Sequence, residues 1–400
     1  MRILSIHNAY QIRGGEDVST EAERTLLQNY GHEVDIYQVN NDQIGQMSSA
    51  QLAVRTLWSQ EAYQTVRAKL QAQPYDVVHV QNFFPLLSPS IYYAAKAENV
   101  PVVQTLRNYR LICPNALFFR DGKVCEDCLG KPIPYPGVVH SCYREDRKAS
   151  AAVTSMITLH RLIKTWPRLV DRYITLTQFA RDKMIEGGLP AERIVVKPNF
   201  VDPEPQVGAG AGGYALYVGR LSVEKGLDTL LAAWQQLKEP MPLKIVGDGP
   251  LSNLVTDAAE RQPYIEWLGR RPMEEVHQLM GDAQFLIFPS KWYETFGRVA
   301  VEAFATGTPV VAANIGAIAE IVQAGYTGRH FTPGDAADLA RQVDWMLAHP
   351  EQQTLMRHNA RAEFEAKYTA ATNYAQLMDI YAGLLPTAHI SQPSTAATLS

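Results

Sequence analysis

Short apolar, β-branched runs recur along the chain, each followed by a stretch with helical spacing of its apolar residues. The runs are "RILSIHN", "HEVDIYQV", "DVVHVQN", "PVVQTL", "DRYITLT" and "IVVKPN"; after "PEPQVGAGAGG" come "YALYVG", "LKIVG", "IEWLG", "AQFLIFPS" and "PVVAAN". A strand that is apolar almost throughout is covered on both faces, so such runs alternating with helices predict parallel sheets packed between helices. The expected fold class is α/β, with two doubly wound, Rossmann-like domains in tandem. The Pro- and Gly-rich stretch from Pro203 to Gly213 reads as a flexible linker between them. That divides the chain into 1–205 and 206–365, followed by helix and, from 387 to 400, a small polar tail expected to be disordered. Ligands of such sheets sit beyond the carboxyl ends of strands, so a cleft shared by both domains is the place to look.

Length and composition narrow the field. With 400 residues the chain exceeds one ordinary core, in keeping with two domains. A net charge of −4 gives no reason to expect a nucleic-acid partner. No apolar run reaches the ~20 residues that span a bilayer. The opening "MRILSIHNAY" lacks a secretory layout, because polar and aromatic residues interrupt its apolar run. A cytoplasmic enzyme is expected, with peripheral contact to the inner face of a membrane as an option.

Candidate chemistry concentrates after strands. In "YETFGRVAVEAFATGTPVV" Glu294 precedes a helix that begins near Gly297, and Glu302 lies more than a turn inside it. The unpaired N–H groups of that helix start favour an anion, and Gly297 admits a ligand close to the backbone. Two carboxylates so far apart are no acid/base dyad but accept well from diol hydroxyls. The plain alternative, a Glu favoured by the helix dipole and a solvated helical Glu, fits this segment equally well. "YVGRLSVEKGLDTLL" adds Arg220 and Lys225 between a strand end and a helix start, the makings of a pyrophosphate clamp. Gly14 and Gly15 follow the first strand and permit close approach of a phosphate or sugar, although the G-x-G-x-x-G dinucleotide fingerprint is absent.

Together, "RGGEDV", "GRLSVEKG", "GDGP" and "FPSKWYETFGRVAVEAFATGTPVV" resemble the family-4 retaining glycosyltransferases of GT-B fold, with Glu294 and Glu302 at the family's E-x7-E spacing. The resemblance covers nearly the whole chain. It implies a nucleoside-diphosphate-sugar donor held mainly by the second domain, a glycan or lipid-linked acceptor, and a last helix, 366–386, crossing back to the first domain. It makes Arg220, Lys225 and Glu294 the catalytic residues, the two cations on the diphosphate and Glu294 on the transferred sugar. Glu302 is implied for the ribose, the backbone of Phe296 and Gly297 for sugar and phosphate, and Gly15 for approach from the opposite domain. Many relatives carry a donor-touching histidine after the fourth strand; here "VVQTLRNYR" places Arg107, which cannot act as a general base. No D-x-D is present to hold Mg²⁺, so no catalytic metal is expected. The rival class is a nucleotide-sugar-binding scaffold without activity, and an epimerase or phosphorylase is a lesser one.

All four cysteines, Cys113, Cys125, Cys128 and Cys142, fall in a Pro-rich insertion at 107–146 around the knuckle "VCEDCLG". Such spacing suits structural Zn²⁺, with His140 as a weaker ligand; reduced thiols, a disulfide or an iron–sulfur centre are the alternatives. The following "RKASAAVTSMITLHRLIKTWPRLVDRY" reads either as a core helix with snorkelling cations or as a helix resting on an anionic membrane.

Overall fold

The computed structural model describes residues 1–12 and 14–385; the tail expected at 387–400 lies outside them. Its strands are β1 Arg2–Ala9, β2 Glu33–Asn40, β3 Val77–Asn82, β4 Val102–Leu106, β5 Phe119–Arg120, β6 Lys123–Val124, β7 Arg172–Thr175 and β8 Ile194–Val196, then β9 Ala215–Val218, β10 Leu243–Val246, β11 Ile265–Gly269, β12 Phe285–Phe288, β13 Val310–Ala313 and β14 Gly328–Phe331. They form two six-stranded sheets, ordered β2-β1-β3-β4-β7-β8 and β11-β10-β9-β12-β13-β14, with β5 and β6 a separate antiparallel hairpin inside the insertion. Every pairing within the two large sheets is parallel. Central strands such as β3, β4, β12 and β13 are buried at every residue, which is why they read as unbroken apolar runs. The apolar pattern missed β14, because Arg329 and His330 occupy its middle.

Strand order reverses between β1 and β3 in the first sheet and between β9 and β12 in the second. Helices leave opposite faces on the two sides of such a point, and a crevice opens at the strand ends. The cleft is where the two crevices meet.

The segment at 203–213 differs from the flexible linker expected. Its glycine N–H groups are bound to the second domain: Gly208 to the Thr306 carbonyl (3.0 Å), Gly210 to Gly281 (2.9 Å) and Gly212 to Asp282 (2.9 Å). Arg357 Nη2 donates to the Gly208 carbonyl at 2.8 Å. A Cβ on Gly208 would lie 2.2 Å from the Gly281 backbone. Glycine here serves contact between two backbones rather than freedom.

The chain returns to the first domain through the helix Ala370–Ala382, whose Leu377 and Tyr381 share a core with Ile3, Val77, Val103 and Ile174. Beneath this core runs a buried polar network. Lys197, 2% exposed, donates to Glu23 Oε2 (3.0 Å) and Asn373 Oδ1 (2.8 Å), and Gln81 donates to Glu23 Oε1 (2.5 Å). His79 lies between the Tyr381 hydroxyl (2.6 Å) and Thr105 Oγ1 (2.8 Å). Burial alone would raise the Glu23 carboxyl, but Lys197 above all, with His79 and Arg107, outweighs it and holds the pKa at about 2. Burial pushes His79 down to about 4, so it is neutral at pH 7.

Both folded pKa values are depressed, so both groups stabilise the fold at neutral pH and lose that contribution on acidification. Stability should fall as pH drops from the ordinary histidine value, about 6.5, to about 4, and again from about 4.5 to about 2. Glu23→Ala or Lys197→Ala should cost roughly 3–5 kcal/mol by stranding a buried charge, and Glu23→Leu combined with Lys197→Met should recover most of it. Urea midpoints against pH check both statements; singles no less stable than the double would refute them.

Candidate functional site

A cavity of about 430 Å³ lies between the sheets, within the range of small-molecule sites. The first domain lines it with Gly14, Gly15, Glu16, Ser19, Arg107 and Asn199; the second contributes Arg220, Lys225, Glu294, Thr295, Phe296 and Arg298. Six residues singled out from the sequence thus share one wall or the other: Gly15, Arg107, Arg220, Lys225, Glu294 and Phe296. Gly297 and Glu302 stand one layer back. Gly297 caps the helix Arg298–Ala305, and Glu302, 2% exposed, is screened from the cavity by Arg298.

On the second domain's wall, Lys225 follows β9 through one 3₁₀ turn and is fixed by Gly226 behind it. Gly226 has φ +72°, and a Cβ there would meet the Pro289 carbonyl oxygen at 1.9 Å. Lys225 Nζ reaches Glu294 Oε1 at 2.5 Å, and Ser290 Oγ and Trp292 Nε1 donate to the same oxygen at 2.9 Å each. Glu294 Oε2 takes no such bond among the described residues. Arg220 is exposed and forms no ion pair among them, leaving a full positive charge at the cavity mouth. The "GDGP" turn plays another part: Gly247 and Gly249 pack their backbones against Gly219 and Leu221 and do not line the cavity.

Two helix-borne residues of the second domain that sequence reasoning passed over, Arg298 and Glu320, tie the domains together. Arg298 Nε donates to Glu302 Oε1 at 2.7 Å, and its Nη1 donates to Ser19 Oγ across the cleft at 3.1 Å. Glu320 accepts the backbone N–H groups of Gln178 (2.9 Å) and Phe179 (2.8 Å), the open start of a first-domain helix. Thr295 Oγ1 donates to the Arg107 carbonyl (2.8 Å), and the Tyr109 hydroxyl to the Glu294 carbonyl (3.3 Å). The i,i+4 spacing of Arg298 and Glu302 was the one available signal.

On the first domain's wall, the buried Arg107 guanidinium is held by neutral amides: Nη1 to Asn199 Oδ1 (2.5 Å) and Nη2 to Gln81 Oε1 (3.1 Å), with Nε unpartnered among the described residues. Glu16 Oε2 accepts from Tyr10 (3.0 Å) and Asn108 (3.3 Å), while its buried Oε1 has no partner among the described residues. Burial raises the Glu16 pKa against the pull of His7 and Arg107.

The insertion reaches across to the second domain: Phe118 packs 6.3 Å from the Tyr293 ring, beside Glu294. Its four cysteines are free thiols. Burial first, then the neighbouring thiols, raises Cys128 to about 12. Among the described residues no group of three or more His, Cys, Asp or Glu side chains is arranged to hold a metal ion. The helix Arg147–Leu162 buries Val153, Met156, Ile157 and His160 and leaves Leu159 and Leu162 outward; no described helix is long and apolar enough to cross a membrane.

Two parallel-sheet domains facing a polar cleft with cations on strand ends define a GT-B architecture. Residues 14–199 match the model for a glycosyl transferase 4-like domain and residues 206–363 that for glycosyl transferases group 1. The chain belongs to the GT-B glycosyltransferases of the family-4 type. It is 36% identical over 266 residues to a glycogen synthase of Mycobacterium tuberculosis, covering 61% of this chain and 63% of that protein. It is 29% identical over 201 residues to an uncharacterized glycosyltransferase of Methanocaldococcus jannaschii, covering 50% and 56%. The chain therefore spans about three fifths of the length of these curated relatives. In fold it is similar to Anabaena HepE, solved in complex with UDP and glucose (TM-score 0.68, 20% identity, 96% and 100% of the two chains). The sucrose-phosphate synthase of Thermosynechococcus elongatus is similar as well (TM-score 0.72, 18% identity, 96% and 98%).

Gly226→Ala should cost roughly 2–4 kcal/mol, since it combines left-handed backbone with a backbone clash. Gly14→Ala, with no atom of another described residue within 4 Å of the added carbon, should stay within about 0.5 kcal/mol. Equal melting temperatures for the two would refute this account of the loop.

Proposed function

We propose that the chain is a retaining glycosyltransferase that moves a sugar from a nucleoside-diphosphate sugar to a glycan or lipid-linked acceptor, without a catalytic metal. The observation that carries it is the placing of Lys225, Arg220 and Glu294 on one wall of a cavity whose other wall holds Gly15 and Arg107. Anabaena HepE, of the same fold, binds UDP and glucose, which makes a uridine donor the first to test.

In this reading Lys225 exchanges Glu294 for the diphosphate, and Arg220 supplies the second cation. The released Glu294 carboxylate, still held by Ser290 and Trp292, accepts hydroxyls of the transferred sugar. Ribose engages Glu302, with Arg298 giving up part of its bond to that carboxylate. The N–H groups beyond Gly297 meet the phosphate end. Leaving-group charge is stabilised by groups already in place, and the departing phosphate oxygen takes the acceptor proton on the same face, which retains the anomeric configuration. No carboxylate need act as nucleophile. Glycan or lipid-linked-oligosaccharide assembly is the corresponding role.

A zinc reading of Cys113, Cys125, Cys128 and Cys142 is supported by their spacing in the sequence alone. One equivalent of zinc in protein purified without chelator would establish it; four freely titrating thiols and no metal would exclude it.

Thermal melts with UDP-, GDP-, ADP- and dTDP-sugars, in EDTA and in Mg²⁺, test the donor site. One nucleotide should stabilise the protein by about 2.7 kcal/mol at ~100 times its Kd, independently of Mg²⁺, and Glu302→Ala should abolish the shift. Arg220→Ala should lower turnover about 10²-fold. Donor binding without transfer or hydrolysis would favour the scaffold reading, and an inverted product anomer would defeat the retaining one.

A further inference from the structure

In the first domain, the helix Arg147–Leu162 runs between two neighbours that each expose apolar side chains. On one flank lies the helix Ser49–Leu57, joined to it where His160 Nε2 meets the Leu57 carbonyl at 3.0 Å. On the other lies the end of the Pro-rich insertion. It is pinned twice: Arg161 Nη1 donates to the Lys131 carbonyl (2.6 Å), and the Tyr143 N–H donates to Ser150 Oγ (2.9 Å). Val54 and Trp58 are exposed on the first flank and Ile133, Tyr135 and Val139 on the second. Leu159, Leu162 and Ile163 are exposed at the end of the helix between them. Eight of the eighteen large apolar side chains exposed among the described residues thus gather on three adjoining segments. Single exposed apolar residues need no explanation, but a cluster marks a surface that something covers.

Charge says what covers it. From Arg147 to Val170 the sequence holds five Lys and Arg and no Asp or Glu, in a chain whose net charge is −4. Arg147, Lys148, Lys164 and Arg168 are exposed and form no ion pair among the described residues. On the insertion, Lys131 Nζ sits 5.6 Å from the centre of the Tyr135 ring. Basic side chains of this length lay their stems on apolar surface and keep the charge at its edge, and Trp and Tyr carry a polar tip to the same depth. That mixture fits the headgroup boundary of an anionic bilayer. A second copy of the chain would set the same unpaired cations against one another across a two-fold axis, so self-association is disfavoured. The contact is with the surface alone, since no described helix is long and apolar enough to cross a membrane.

We propose that this face seats the protein on an anionic lipid surface, with Leu159, Leu162 and Ile163 entering the headgroup boundary and the unpaired cations meeting lipid phosphates. The seating stands on the face alone; what it does for sugar transfer rests on the glycosyltransferase reading above. The insertion connects the two places. Its far part reaches the second domain, where Phe118 packs on Tyr293 and the Tyr109 hydroxyl donates to the Glu294 carbonyl at 3.3 Å. An acceptor anchored by a lipid in that surface is then held on the cleft's own side of the first domain.

Co-sedimentation of the full chain with vesicles of mixed phosphatidylcholine and phosphatidylglycerol, beside vesicles of phosphatidylcholine alone, tests it. Binding to the anionic vesicles is expected, and about tenfold weaker binding or less to the neutral ones. Lys164→Ala combined with Arg168→Ala should weaken it about 25-fold, each cation near such a surface counting for a factor of about five. Leu162→Asp should weaken it about tenfold or more. Its melting temperature should not move, because Leu162 is 74% exposed. Leu355→Asp, exposed on the helix Pro350–Lys367 of the second domain, should leave binding unchanged. No binding to anionic vesicles, equal binding to neutral ones, or undiminished binding in Leu162→Asp overturns the proposal. So does sedimentation equilibrium showing a dimer that Leu162→Asp dissociates, which puts a second copy on the face. Melts with UDP-sugars are independent: their failure removes the donor reading and leaves this face to be judged on vesicle binding.

Discussion

The buried pair of Lys197 and Glu23 ties the first domain to the last helix through Asn373. An ammonium and a carboxylate, each nearly inaccessible, tolerate burial only if both find partners. Those partners come from distant stretches: Gln81 from β3, Asn373 from the last helix, and the first helix that carries Glu23 itself. Gln81 passes the constraint to Arg107 and so to the cavity wall. The last helix is thus tied to the first sheet by charge as well as by its apolar face, and the cleft's first wall is set by groups that no solvent reaches.

The cleft follows a similar logic with weaker locks. Each carboxylate expected to meet a ligand already has an internal cation, Lys225 for Glu294 and Arg298 for Glu302. The cavity lining is therefore close to charge balance, with Arg220 as the exposed excess. A polyanion entering it exchanges partners rather than supplying missing ones, which lowers the cost of keeping such groups in a half-dry site. The same exchange makes affinity depend on how well each pair separates, not only on the ligand's own contacts.

Most of the architecture was legible because parallel strands buried on both faces leave unbroken apolar runs. Edge strand β14 escaped because an edge tolerates Arg329 and His330. The E-x7-E pair and the two cations after β9 were legible as spacing, and spacing could not tell that Glu302 sits behind Arg298. Arg107 was visible as a residue type; its amide partners, Asn199 and Gln81, lie 92 and 26 positions away and carried no local signal. Glycine misled in one place, since a Gly-rich segment reads alike whether its backbone is loose or pressed against another backbone.

That last feature bears on how the two halves can move. With 203–213 bound along the second domain, the covalent crossings narrow to the few residues before it and to the turn that leads into the last helix. The two crossings touch, Val201 N–H to the Tyr368 carbonyl at 3.2 Å. Two adjacent tethers leave one easy axis of rotation, like a door on a paired hinge rather than a ball on a string. Opening and reclosing then explore an arc instead of a volume, so the opposing walls meet again in register each time they close.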